Sequence, residues 1–293
     1  MIRSASFPAD RRHVAALLEE VEAHGGGPAL SEELRWDLEH GRCAGPNVVA
    51  VAGGSLIGYA HLMGHREHLL AEMAIAPGDR RSLAPRMVAA ILEAGGDRPV
   101  RFRSADPGAV SAAVQAGMVA TRSLLRLEAP LPITAVAPGR PDPAVITRFR
   151  GGADEDAFLL VSNEAFADHP DSGGWDRAVL RERMARPWFD PAGLFLAWGP
   201  TEPVGVCWTK RHPGGIGEIY SVAVRPRWSG RGLGRLLVTV GLRYLAEERG
   251  AATGLIYVEE GNLPAVALYR SMGFDEAGRT EELVIGAAPR FGS

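Results

Sequence analysis

Cysteine, lysine, net charge and long apolar runs are all scarce in this chain. Its two cysteines, Cys43 and Cys207, lie far apart and without metal-ligand spacing. That excludes a disulfide scaffold or a zinc site and fits a reducing cytoplasm. A net charge of -3 offers no bulk attraction to nucleic acid or to an anionic membrane, so neither is expected as a partner. The first residues, "MIRSASFPADRRHVAALLEE", contain no apolar signal core, and no run of about 18 apolar residues occurs. A cytoplasmic, monomeric protein working on small molecules is expected. Lysine is reduced to Lys210 alone against 31 arginines.

The length of 293 residues suits two domains, each able to bury its own core. Residues 129 to 143, "APLPITAVAPGRPDP", hold five prolines, a composition that stiffens a connector and removes backbone donors. The linker is placed there, between a first domain over 1 to 128 and a second over 144 to 293. The two halves repeat one order of elements. A short strand (1 to 6; 144 to 150) precedes a helix opened by Asp10 or Asp154. A hairpin follows (47 to 52 with 55 to 61; 194 to 198 with 203 to 209). Then "EMAIAP" (72 to 77) answers "SVAVRP" (221 to 226), and "QAGM" (115 to 118) answers "SMGF" (271 to 274), the latter pair set between a helix and a strand. Internal duplication of an α/β unit is the simplest reading.

After the second of these strands comes Ser229-Gly230-Arg231-Gly232-Leu233-Gly234-Arg235 and an apolar helix. Glycines let a backbone turn with its amides pointing inward, and a helix start adds free N–H groups and partial positive charge, which together suit a pyrophosphate. Arg225, Arg227, Arg231 and Arg235 add charge. The alternative is a loop whose glycines merely permit a tight strand-to-helix connection. A P-loop is excluded because Arg235-Leu236 stands where Lys and Ser or Thr are required; a dinucleotide fingerprint is excluded because Arg235 replaces its third glycine.

"VAVRPRWSGRGLGRLL" resembles the acetyl-CoA pyrophosphate motif of the Gcn5-related N-acetyltransferase superfamily, with Ser229 where Gln or Arg is usual. "SNEAFADHPDSGGW" (162 to 175), "RPWFDPAGLFLAW" (186 to 198), "WTKRHPGGIGEIYSVAV" (208 to 224) and "LIYVEEGNLPAVALYRSMGF" (255 to 274) resemble the mycothiol synthase family of tandem acetyltransferases. The resemblance implies two tandem acetyltransferase folds, each a mixed, mostly antiparallel sheet flanked by helices. It implies acetyl-CoA as acetyl donor, and as acceptor the cysteinyl α-amine of a cysteinyl-glucosaminyl-inositol, an amino-sugar thiol.

Such an amine has an ordinary pKa of about 7.7 to 8.0, so a modest base suffices. Glu218, at the start of the strand before the cradle, matches the family's base; from spacing alone it reads equally as an exposed strand-end acid. Tyr269 matches the family's general acid, although a phenol near 10 protonating a thiolate near 8.5 runs uphill by roughly 2 kcal/mol. The amides of Val222, Ala223 and Val224 are expected along the pantetheine arm, one of them on the thioester carbonyl. Asn262, Leu263, Pro264, Ala265, Val266 and Ala267 are expected on the carrier's other side. The resemblance also assigns Glu32, Asp171, Lys210, Glu218 and Tyr257 to the acceptor. His169 and His212, each followed by proline, are read as loop-positioning residues, and no residue cluster predicts a metal. Trp175, Trp188, Phe189 and Trp198 are read as core.

The first copy is expected to be inactive. Aligned on Pro77 and Pro226, it has Leu83 and Pro85 in place of Gly232 and Gly234, and aligned on Gly117 and Gly273 it has Ala113 in place of Tyr269. Two other readings stay open from sequence: an acetyltransferase for another small amine or a peptide N-terminus, and a non-catalytic acyl-CoA-binding regulator.

Overall fold

The computed structural model describes residues 1–4, 10–25, 28–43, 45–64, 67–133, 145–167 and 174–285. The first half runs β1 (Ile2–Ser4), α1 (Arg11–Gly25), α2 (Glu32–His40), β2 (Asn47–Ala52), β3 (Ser55–Gly64), β4 (Leu69–Ile75), α3 (Arg80–Gly95), β5 (Val100–Ser104), α4 (Pro107–Gln115) and β6 (Met118–Pro130). The second repeats that succession as β7 (Val145–Arg148), α5 (Glu155–Ala165), α6 (Arg177–Met184), β8 (Leu194–Trp198), β9 (Pro203–Arg211), β10 (Ile216–Val224), α7 (Leu233–Glu247), β11 (Thr253–Glu259), α8 (Leu263–Arg270) and β12 (Asp275–Ile285). The proline-rich stretch begins inside β6, and residues 134 to 144 lie outside the described residues.

Two compact units result. One is Met1–Leu124 with the chain from Gly278 onward; the other is Leu125–Ala277. Within the first, β5 pairs antiparallel with β12, a strand from the far end of the chain. Within the second, β11 has β10 on one side and β6, from the first half, on the other. Each copy therefore gives its last strand to the other copy's sheet.

In the second unit β7 to β10 pair antiparallel in sequence order, and β10 pairs parallel with β11. Helix α7 buries Leu233, Leu237, Val238, Leu242 and Leu245 at helical spacing against Phe195, Cys207 and Ile219. Each such side chain contributes about 1.5–3 kcal/mol when fully buried. On the sheet's opposite face Phe158 of α5 and Leu180 of α6 pack with Trp208. Trp188 and Phe189 close on Trp208 at ring distances of 5.8 and 5.5 Å, so these aromatics belong to the core, as their composition suggested. Helix starts follow local chemistry. Asp176 caps α6 through the amides of Ala178 and Val179, and Asn262 caps α8 through Ala265, with Pro264 in the first turn.

Candidate active site

The site is organised by a fork between two strands. β10 and β11 pair in parallel from Ile216↔Thr253 to Ile219↔Ile256 and then separate, while β10 stays paired with β9 to its end. The β9–β10 register shifts between Ile219 and Ser221, a bulge at Tyr220 where the fork opens. Arg225 N–H donates to Val204 O at 3.0 Å. Because antiparallel partners alternate, that bond places residues 221, 223 and 225 toward β9 and the amides of Val222 and Val224 toward the open side. The amide of Ala223, expected with them, faces β9, and its side chain is buried. Two donors thus stand free of the ladder within three residues.

The glycine loop continues from that edge. Gly230 and Gly232 have φ of 75° and 80°, and a Cβ on either would meet nothing within 4 Å. They are glycines for backbone conformation, with open space in front. Gly232 is the N-cap of α7 and makes no side-chain capping bond, so the first amides of α7 keep no intrahelical partner. An uncapped helix start beside a concave run of amides is an anion site by its own electrostatics.

The four arginines divide. Arg225, 2% exposed, donates to both carboxylate oxygens of Glu164 at 2.6 Å and to Glu202 at 2.7 Å. Arg227 pairs with the same Glu202 at 3.0 Å. These two brace the turn. Arg231 lies over the Trp228 ring at 4.7 Å, and Arg235 of α7 donates to Ser271. The charge left at the loop's mouth is that of Arg231 and Arg235, half of what the sequence suggested.

Glu218 is 7% exposed, directly opposite Lys210 on β9 and beside Leu255 on β11. His212 Nε2 lies 2.5 Å from Glu218 Oε2. Lys210 Nζ sits 4.8 Å from the Trp188 ring centre and 5.6 Å from that of Tyr220. Tyr257, two residues past Leu255, has its pKa raised by burial first and by the Glu218 charge second. Arg126 of β6 hydrogen-bonds to Tyr257 and pairs with Glu128 at 2.5 Å, while its buried Nε has no hydrogen-bond acceptor. Lys210, Glu218 and Tyr257, named separately from the sequence, therefore form one polar group across β9, β10 and β11. The structure adds His212, Arg126 and Glu128 to it. Sequence reading missed the last two because nothing local ties β6 to the second half.

Tyr269 is 5% exposed, its ring packed 6.3 Å from that of Phe274. Burial pushes its pKa up to about 12, with a smaller contribution from the Cys207 thiol, whose residue is the ladder partner of Val222. Its hydroxyl makes no hydrogen bond among the described residues. Of the carrier residues expected on the far side, Asn262, Leu263, Pro264 and Ala267 are exposed on the first turns of α8, Ala265 is half-buried and Val266 is buried. Glu32 stands in the first turn of α2, in the other unit. Asp171 and His169 lie outside the described residues.

The first unit keeps the fork without its chemistry. β4 and β5 pair from Leu69↔Val100 to Glu72↔Arg103 and part there, and the β3–β4 ladder has no bulge. Matching the ladders, Met73↔Ala60 against Val222↔Cys207, puts Leu70 at the place of Glu218 and Met63 at that of Lys210. Residues 80 to 83, aligned with the glycine loop, form the first turn of α3 instead. A cavity of about 230 Å³ remains at this fork, lined by Met73, Ala74 and Ile75 and by Arg80 and Asp106, which pair at 3.1 Å. Its lining carboxylate, Asp106, is taken up by Arg80 and by the amide of Ala109 at the start of α4, and a helical turn stands where the second unit has its glycine loop, so chemistry rather than volume selects the second unit.

A model of the Acetyltransferase (GNAT) family matches residues 160–274. The chain is 41% identical over 268 residues to the mycothiol acetyltransferase of Thermomonospora curvata, covering 89% of each chain. It is 40% identical over 282 residues to that of Geodermatophilus obscurus, covering 91% of each. Among solved structures, a GCN5-related N-acetyltransferase from Sphaerobacter thermophilus superposes with a TM-score of 0.75 at 24% identity, covering 98% of this chain and 96% of that one. A tandem GNAT protein from the clavulanic acid biosynthesis pathway gives 0.72 at 16%, covering 98% and 99%, so both show the fold. With its duplicated fold and the fork of its second unit, the chain belongs to the mycothiol acetyltransferase family and is an acetyl-CoA-dependent N-acetyltransferase of the GNAT type.

Proposed function

We propose that this chain transfers acetyl from acetyl-CoA to the cysteinyl α-amine of cysteinyl-glucosaminyl-inositol, the last step of mycothiol formation, and that the second unit performs it. One observation carries the placement. A buried carboxylate, Glu218, two free strand amides, Val222 and Val224, and an uncapped helix start at Gly232 follow one another along the forked strand β10 and the loop that leaves it.

The residues fit an acyl-CoA. Its diphosphate meets the amides of the loop and of the first turn of α7, with Arg231 and Arg235 at the rim. Its pantetheine arm adds to β10 as a short strand would, taking the place that β11 leaves beyond Ile256. The thioester carbonyl then accepts from the Val222 or Val224 amide, a fixed donor that gains strength as the oxygen becomes anionic.

Glu218 takes the proton of the cysteinyl ammonium. The freed amine attacks the carbonyl carbon, the C–S bond breaks as the nitrogen gives its second proton to solvent, and the thiolate leaves toward Tyr269. A phenol at about 12 handing its proton to a thiolate near 8.5 runs uphill by roughly 5 kcal/mol. Tyr269 therefore acts first as a hydrogen-bond donor to the leaving sulfur, and full transfer follows only as far as the closed site raises the thiolate. The chemistry uses no metal. Lys210, Tyr257 and Arg126, whose Nε lacks an acceptor, face the sugar and inositol hydroxyls. The first unit serves as support. No helix among the described residues is long and apolar enough to cross a membrane, and we place the enzyme, as a monomer, in the cytoplasm.

The test is mass spectrometry of products from purified protein, acetyl-CoA and a panel of cysteinyl-glucosaminyl-inositol, simple cysteine conjugates and aminoglycosides. Acetylation of the first alone is expected, and it falls at least a hundredfold in Glu218→Gln while acetyl-CoA affinity holds. Preferred acetylation of another amine overturns the acceptor assignment.

A further inference from the structure

The loop between β9 and β10 holds a group with no part in the chemistry above. His212 follows β9, and its backbone N–H donates to Ile216 O at 2.9 Å, so the hairpin ladder continues one pair past Arg211. Side chains alternate along a strand, which puts Lys210, His212 and Glu218 on one face, with Lys210 directly across from Glu218 and His212 on the diagonal. The imidazole Nε2 reaches Oε2 of Glu218 at 2.5 Å. The carboxylate is 7% exposed and the ring's side chain 30%, so the histidine stands between the buried acid and water.

We infer that His212 is a positioning residue for the base: its Nε2–H holds Oε2 of Glu218 and turns Oε1 toward the amine. This rests on the reading of Glu218 as the base. A carboxylate free to rotate offers either oxygen at any angle; one held by a donor offers a single lone-pair direction, and orientation of a base within hydrogen-bond reach is what proton abstraction requires. The other charged or titratable groups nearby are Lys210 across the ladder, Arg211 (its Nε given to Arg249 O at 3.0 Å), Tyr257 on β11, and Arg126 and Glu128 on β6. His212 combines direct contact with Glu218 and access to solvent at the loop.

Three variants and one spectrum decide it. His212→Ala should lose ten- to a hundredfold in kcat with the acetyl-CoA KM within twofold of wild type. His212→Gln keeps an N–H donor at similar reach and should recover to within about threefold at pH 8. His212→Phe, which fills the space without a donor, should stay as slow as the alanine variant. In ¹⁵N spectra of the wild-type enzyme at pH 8, the His212 ring should carry its proton on Nε2. An alanine variant at wild-type rate, a glutamine variant as slow as alanine, or a ring protonated on Nδ1 each overturns the inference. A wild-type protein that acetylates no cysteinyl amine counts against the proposed function instead, and the spectrum still decides the contact.

Discussion

Gly234 separates binding from stability. It is the second residue of α7, and a Cβ added there would lie 3.8 Å from Leu268 Cδ2 and 4.0 Å from Val224 Cγ2, ordinary contact distances. Gly234→Ala thus fits the fold without a clash. By restricting the unfolded chain and improving helix propensity it should stabilise the enzyme by about 0.5–1 kcal/mol, or about 1–4 °C in Tm. The same methyl would be added in the first turn of α7, whose uncapped amides the diphosphate is proposed to approach. Displacing the phosphates enough to weaken one charge-assisted hydrogen bond costs about 1.5–3 kcal/mol, a ten- to hundredfold rise in the acetyl-CoA dissociation constant. Calorimetric titration reads the affinity, a thermal melt reads the stability, and kcat at saturating donor should change little, since Glu218 is untouched. A variant that melts higher and binds acetyl-CoA as tightly as wild type refutes the placement of the diphosphate.

Tyr269→Phe should lower kcat ten- to a hundredfold with acetyl-CoA affinity within twofold, the cost of losing one hydrogen bond to a developing thiolate; a large loss of affinity would mean that the hydroxyl binds rather than reacts. Arg225→Ala should destabilise the fold by about 1–3 kcal/mol in urea titration, since it frees Glu164 and Glu202 from a buried guanidinium. Arg231→Ala should leave stability unchanged and raise the acetyl-CoA KM, and the reverse pattern would show that the roles are exchanged. The Asp154 carboxyl is held below its ordinary range chiefly by its hydrogen bond from Arg150, with burial acting in the opposite sense. Its contribution is therefore present above pH 4 to 5 and is lost as pH falls through the lowered value. Urea midpoints of wild type and Asp154→Asn should differ at pH 7 and converge as pH falls through that lowered value; a gap that does not change with pH contradicts that origin.

Much of this was legible before any coordinates. The two hairpins, the strands ending at Pro77 and Pro226 and the glycine loop all follow from local chemistry, and local chemistry is what a sequence displays most openly. The exchange of β6 and β12 was not. A strand after "QAGM" and another after "SMGF" are both readable, but alternation along a strand says nothing about which sheet edge it will fill. Arg126 and Glu128 were lost with it. The four arginines of the loop were counted as equals, whereas Arg225 lies two residues past Ala223 and so shares its buried face, toward Glu164. The pairing of His212 with Glu218 was within reach. A "HPGG" turn between two alternating strands already puts Lys210, His212 and Glu218 on one side, and the ladder confirms that register.

The most direct measurement is a crystal structure of the enzyme with coenzyme A. Its diphosphate should lie against the backbone amides from Gly230 to Arg235, with the thiol end reaching Val222 and the Glu218 carboxylate beyond it. A diphosphate bound elsewhere, or held at the first unit's fork alone, would contradict the assignment of catalysis to the second unit.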